Sequence, residues 1–166
     1  LLGAHSAYNV ALAAAMAYKL GMSAEEIAQA VSRLECVPHR LQPILSGGVT
    51  VLDDAYNANI RGAAEAVSVL RLFEGRKIVV TPGIVELGVL EEKENFAFGE
   101  KLTGLDLVLL VGDTLVGAVK NGYLKAGGDA EKLAVVPTLE DAKKKLSSYL
   151  QAGDTVLFLN DLPDVY

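Results

Sequence analysis

Four short segments hold most of the side chains able to do chemistry. Gly3-Ala4-His5-Ser6-Ala7-Tyr8-Asn9 stands at a helix start, and Pro38-His39-Arg40-Leu41 joins helical sequence to a hairpin. Leu52-Asp53-Asp54-Ala55-Tyr56-Asn57-Ala58-Asn59 runs from an apolar stretch into a polar loop. Thr81-Pro82-Gly83-Ile84-Val85-Glu86-Leu87-Gly88 follows another apolar stretch. These segments offer carboxylates, amides, an arginine and two histidines, which suit binding and orienting a polar ligand. The sequence contains no Gly-x-x-x-x-Gly-Lys-Ser/Thr loop and no Gly-x-Gly-x-x-Gly opening a helix. No Cys/His cluster suits zinc, and two histidines without a serine elbow give a hydrolase triad little support. By its motifs alone the chain is not a self-sufficient enzyme of a common type.

The elements that must position these segments follow from periodicity. Tyr8, Leu12, Ala15 and Met16 repeat with a helical period that Gly21 stops. Ser23 and Glu26 form a capping box, so a second helix covers 24–34, with Ile27, Val31 and Leu34 on one face. Apolar runs at 41–45 and 49–52 flank Ser46-Gly47-Gly48 and predict a hairpin. A helix over 62–73 follows. Strands at 77–81, 107–111, 133–136 and 155–159 then alternate with helices at 91–102, 115–125 and 138–150. Uniformly apolar strands alternating with helices imply an α/β, Rossmann-like domain: a mostly parallel sheet covered on both faces, from residue 39 to the end. Ligands of such sheets bind beyond the carboxyl ends of the strands. The loops at 54–59, 82–88, 112–114 and 160–164 therefore belong to one edge.

Composition narrows the function class. The 166 residues are 51% hydrophobic and 22% charged, an ordinary globular mixture. A net charge of −6 argues against a nucleic-acid partner, and no basic amphipathic stretch marks a membrane surface. The lone Cys36 rules out an intrachain disulfide framework and reads as a small half-buried hydrophobe. A cytoplasmic setting fits. The chain opens Leu1-Leu2-Gly3, which reads as a cut point inside a longer polypeptide.

Together, and in this order, the four segments resemble the Mur ligase family, most closely its D-alanyl-D-alanine-adding branch. That branch carries Gly-x-His-Asn-x-x-Asn, Gly-Arg-Leu, Asp-Asp-Ser-Tyr-Asn-Ala-Asn-Pro and Glu-Leu-Gly. The loop from Asp53 to Asn59 is the most specific match. Thr81-Pro82-Gly83 and the closing Asn160-Asp161-Leu162-Pro163 resemble a Mur-like subgroup. The resemblance implies that residues 1–38 are the helical tail of a central ATP-binding domain and 39–166 a complete C-terminal domain. It implies a ligase that closes over ATP and joins an amino acid or dipeptide, D-alanyl-D-alanine foremost, to a UDP-linked muramyl peptide through an acyl phosphate. The phosphate-binding loop and the Mg2+ ligands would belong to the central domain, outside this chain. The fragment by itself would be inactive, with no catalytic or metal-ligating residue of its own.

By the same resemblance Asn9 would hydrogen-bond the adenine, since an amide both donates and accepts. Arg40 would reach the ATP, its guanidinium fork fitting phosphate or ribose oxygens. Asp54 would accept from the ribose hydroxyls, and Tyr56 and Asn57 would flank the base. Each also reads more plainly: Asn9 as a helix-start polar residue, Arg40 as a surface arginine, Asp54 as a strand-end acid capping the next turn. Adjacent strand-end acids point to opposite sides, so only one should face the nucleotide, and the match to the family pattern favours Asp54. His39 reads as a ring packed on the linker. Glu86 would shape the incoming substrate's site, or simply cap a turn. Asn160 and Asp161 stand where the family has Lys-Gly-Ser and would contact substrate. Ser6 replaces an asparagine and Ile60 a proline of the family pattern. Two alternatives remain at this stage: a non-catalytic α/β module binding a ligand or protein, and a folylpolyglutamate- or cyanophycin-type ligase domain.

Overall fold

The computed structural model describes residues 1–56 and 59–159. Two helices, α1 (Ala4–Lys19) and α2 (Ala24–Ser32), precede a hairpin of β1 (Gln42–Ser46) and β2 (Val49–Asp54). Then come α3 (Ile60–Leu70), β3 (Lys77–Thr81), α4 (Glu91–Lys101), β4 (Leu107–Val111), α5 (Val116–Lys125), β5 (Leu133–Val136), α6 (Leu139–Tyr149) and β6 (Thr155–Leu159). The strands form one sheet in the order β1-β2-β6-β3-β4-β5. β1 pairs antiparallel at one edge and every other pairing is parallel. The expected mostly parallel Rossmann-like sheet is the observed fold.

Local chemistry explains the elements. Ser23 and Glu26 close the capping box of α2 in both directions, Glu26 Oε2 accepting from Ser23 N at 2.8 Å. Gly47 and Gly48 turn the hairpin at φ 58° and 82°, a pair of positive values that two-residue hairpin loops require. Asn59 caps α3 by accepting from Gly62 N at 2.8 Å, so this helix starts two residues before the position its apolar period suggests. Thr138 caps α6 through Asp141 N.

The central strands β3, β4 and β6 are mostly apolar because both their faces are covered, whereas the edge strand β1 is largely exposed. On one face Leu52, Val79, Val108, Leu110, Leu157 and Leu159 join residues of α3, α4 and α5 in one core. On the other, Ile78, Val80, Leu107, Leu109 and Val156 meet Ala142 and Leu146 of α6. This alternation along each strand is the period of two that a pleat imposes. α1 and α2 stand apart from both cores and contain no buried residue. The helix expected over 24–34 ends at Ser32, so Leu34 lies beyond it; Val31 on its apolar face and Leu34 are 39% and 48% exposed.

Candidate functional site

The carboxyl ends of β2, β3, β4 and β6 lie along one edge, as parallel pairing demands. Between the carboxyl end of β2, the start of α3 and the α1–α2 pair opens a cleft of about 1100 Å³. Asn9, Arg40 and Asp54 all line it, together with His5, Asn59 and Glu65. Its inner wall along α1 and α2 is apolar, with Ala13, Ala17, Ile27 and Val31. One wall therefore suits a flat apolar or aromatic body, and the strand-end wall suits polar groups.

The two adjacent acids divide as their alternation dictates. Asp54 shares the α3 side of β2 with buried Leu52 and borders the cleft. Its Oδ1 accepts from Leu41 N at 2.9 Å. Asp53 turns the other way: its Oδ2 lies 2.8 Å from His39 Nδ1, and its Oδ1 accepts from Ala55 N at 3.2 Å. His39 does not pack on the linker as its sequence setting suggested. Its ring is 62% exposed and is held by Asp53 instead.

Burial pushes the Asp54 carboxyl above the ordinary carboxylate range. The Leu41 amide pulls it back in part, as do the charges of Arg40 and His5. The carboxylate is thus desolvated and poised to accept hydroxyl or amide donors. Arg40 sits with its guanidinium 4.1 Å from the centre of the Tyr56 ring, a cation–π stack at the cleft's rim. His39 and Leu41, on either side of Arg40, both have left-handed φ, 59° and 50°. This fixes the backbone direction on both sides of the arginine, and buried Leu41 anchors it.

Glu86 lies elsewhere on the same edge, beyond the end of β3, exposed and left-handed at φ 62°. The turn leading to it is buried from Thr81 to Ile84. Asn57, Asn160 and Asp161, also expected at the site, lie outside the described residues. Among the described residues, no group of three or more His, Cys, Asp and Glu side chains could hold a metal ion.

Among the cleft residues to which sequence reasoning gave no role are His5, Asn59 and Glu65. His5 and Asn59 sat inside motifs already singled out. Glu65 gave no local signal. It reaches from α3 across 61 residues so that its Oε1 accepts from Ala4 N at 2.8 Å, holding the start of α1 against the domain.

Residues 39–160 match the family described as "Mur ligase, glutamate ligase domain". The chain is 37% identical over 115 residues to the UDP-N-acetylmuramoyl-tripeptide–D-alanyl-D-alanine ligase of Escherichia coli (strain K12), covering 68% of this chain and 25% of that protein. It superposes on MurF from Acinetobacter baumannii with a TM-score of 0.81 and 29% identity, over 96% of this chain and 35% of that one. MurF ligase from Thermotoga maritima, solved in complex with ADP, has the same fold, with a TM-score of 0.80 at 24% identity over 96% and 35% of the two chains. The chain thus spans between a quarter and about a third of these proteins.

Proposed function

Because the chain belongs to the Mur ligase family through its glutamate ligase domain, we propose that it is the part of an ATP-dependent amide-bond ligase that closes over the nucleotide and brings in the amine substrate. The observation that carries this reading is the cleft in which Asn9, Arg40 and Asp54 meet. These residues come from three separate segments and converge only in the fold.

Asp54 would hold the ribose. Its desolvated carboxylate gains most from two adjacent hydroxyl donors, because they replace the water that burial removes. Arg40 would leave or keep its Tyr56 stack as phosphate oxygens approach, its planar fork serving either arrangement. Asn9, on the first turns of α1, would present both a donor and an acceptor to the adenine edge. The apolar wall of α1 and α2 would lie against the base.

In the reaction so read, a carboxylate oxygen attacks the terminal phosphorus of ATP and ADP leaves. The neutral amine nitrogen then attacks the acyl carbon, phosphate leaves with the electron pair of the broken C–O bond, and the proton lost from nitrogen passes to the departing phosphate or to solvent. This chain's residues orient the nucleotide and exclude water, and the developing phosphoryl charge needs aligned cations. The described residues do not fit a magnesium site, and the ligands of that ion would belong to the central domain. The acceptor carboxylate would belong to a UDP-linked muramyl peptide and the amine to D-alanyl-D-alanine, the substrates for which the Escherichia coli relative is named. The setting would be cytoplasmic, where ATP is available. No described helix is long and apolar enough to cross a membrane.

The test uses the full-length ligase that contains this chain. Asp54→Ala and Arg40→Ala should each raise the KM for ATP about tenfold or more, the loss of one charge-assisted contact. The measurement is amine-dependent phosphate release. Unchanged ATP kinetics in both variants would sink the assignment. A parent protein with no amine-dependent phosphate release would favour a non-catalytic binding module.

A further inference from the structure

An α-helix leaves its first N–H groups without partners inside the helix, and a side chain at the cap commonly takes one of them. α1 has no such side chain. Its cap is Gly3, at φ 84°, and no acidic residue stands in its first turn. The acceptor comes from another element: Oε1 of Glu65, on α3, accepts from Ala4 N at 2.8 Å. α1 is therefore capped from outside, by the domain against which it stands. A Cβ on Gly3 would lie 2.7 Å from His5 Cε1 and would touch Glu65 Cγ at 3.6 Å, so the bare cap lets both side chains close over the helix start.

Both partners of this contact line the cleft, Ala4 on the α1 wall with Asn9, and Glu65 on the opposite wall with Asp54 and Arg40. Apart from Arg40 N to Val37 O in the linker, it is the hydrogen bond that joins residues 1–38 to the rest among the described residues. Leu2 packs against the core just upstream, while α1 and α2 contain no buried residue. The spacing between the helix pair and the domain is thus set at the start of α1 and not by a shared core. Asn9 stands further along the same helix, about 7.5 Å by its rise per residue, so a shift at Ala4 is carried to Asn9. Arg61 has the i,i+4 spacing of a helical ion pair with Glu65, yet the ion pairs among the described residues do not join them. The carboxylate turns to α1 instead.

We propose that Glu65 is a positioning residue for the nucleotide: by capping α1 from the domain, it sets how far Asn9 stands from Asp54 and Arg40. The assignment rests on the ligase reading above, and it adds what holds the two walls of the cleft at one spacing. A ligand that touches both walls keeps both sets of contacts only at one separation, and an error of about 1 Å is enough to lose one set. The length of the side chain therefore matters as much as its charge. Glutamine has the reach of glutamate and an acceptor oxygen for Ala4 N, whereas aspartate has the charge but is a methylene short.

The experiment compares Glu65→Ala, Glu65→Asp and Glu65→Gln with the parent in the full-length ligase, with ATP and D-alanyl-D-alanine as probes. Glu65→Ala should raise the ATP KM about tenfold and leave the amine KM within about twofold. Glu65→Asp should match the alanine variant, and Glu65→Gln should fall between it and the parent. Amide hydrogen exchange reads the contact itself: the Ala4 amide should exchange about tenfold faster in the alanine and aspartate variants. If the alanine variant fails to fold, the order of aspartate and glutamine decides. An aspartate variant closer to the parent than the glutamine variant would show charge acting without the contact, and would overturn the assignment. ATP and amine KM values rising together, an unchanged ATP KM or unchanged exchange at Ala4 would overturn it as well, each leaving the ligase reading intact. A parent without amine-dependent phosphate release would overturn both.

Discussion

Asp54 shows what a single residue gives up to serve a site. Its carboxyl is raised because the fold takes it out of water, and the backbone donor from Leu41 offsets that only in part. A carboxyl whose folded pKa lies above its unfolded one favours the folded state when protonated, and that contribution is lost as pH rises through the folded value. At neutral pH the charge therefore works against folding. Asp54→Asn should raise the thermal midpoint at pH 7, and its advantage should shrink as pH falls into the carboxylate range. The same change should weaken nucleotide binding about tenfold, since a charged acceptor is lost. Thermal melts across pH, set beside ATP titrations of the full-length protein, check both halves. A variant that loses stability at pH 7 would contradict the account of the site. That the two acids part to opposite sides was legible in the sequence, because strand alternation is a local rule; that Asp54 is the one bordering the cleft followed from the family pattern and not from alternation. The pairing of Asp53 with His39 was not, because it depends on a left-handed kink at His39 that no residue type announces. The contacts of Glu65 with Ala4 and of Asn95 with Ile84 were hidden for a related reason, each joining separate elements.

At the scale of elements, the strands were readable because β-branched and leucine runs bounded by glycine and polar residues can be buried on both faces only in a parallel sheet. The close crossing of α4 and α5 was not readable. Gly99 and Gly122 let the two backbones meet: a Cβ on Gly122 would lie 1.9 Å from Phe96 O, and one on Gly99 2.0 Å from Val119 O. Neither glycine marks a helix end, so each looks locally like a weakness. Gly122→Ala should therefore destabilise by about 3 kcal/mol, the upper range for overpacking, because backbone rather than a flexible side chain is in the way. Urea unfolding at constant m-value measures it, and a variant as stable as the parent or more so, as an exposed helical Gly→Ala change would be, would refute the crossing. Below the sheet, Arg76 forks onto Asp154, with Nε to Oδ1 at 2.9 Å and Nη2 to Oδ2 at 2.6 Å, and stacks on Tyr149 at 4.4 Å. Its guanidinium holds the Asp154 carboxyl below the usual range. A depressed carboxyl contributes stability that is present above the unfolded pKa and lost as pH falls through the folded one. Asp154→Asn should cost about 2 kcal/mol at pH 7 and little once the parent is protonated too. Denaturant melts at neutral and strongly acid pH separate this from a purely steric defect, which would persist at both.

For the whole molecule, the sheet order could not have been read from the chain. β6 lies between β2 and β3, and no local feature of residues 155–159 names its neighbours. The division of labour between α1–α2 and the rest was better foreshadowed, since the character of the sequence changes at Pro38-His39, and we propose the domain boundary there. Both buried cores draw their buried members from residue 41 onward, and neither α1 nor α2 contains a buried residue. The helix pair meets the remainder through few ties, among them Leu2 against the core and Ala4 N to Glu65. Tyr8, Leu12, Met16, Tyr18 and Leu20 meanwhile lie more than half exposed along α1. Short helices without tertiary support are marginal in water. It follows that a chain starting at residue 39 should keep the cooperative unfolding of the 166-residue chain, its midpoint shifted by no more than about 4 °C, equivalent to roughly 1 kcal/mol. In the 166-residue chain, amides of α1 and α2 should exchange well before those of β3 and β4, because opening the pair exposes little buried surface. Equal protection across all these elements, or loss of cooperative folding on removing residues 1–38, would show that the helix pair is part of the same folding unit. In that case the cleft would be a fixed groove rather than a gap between two parts able to move.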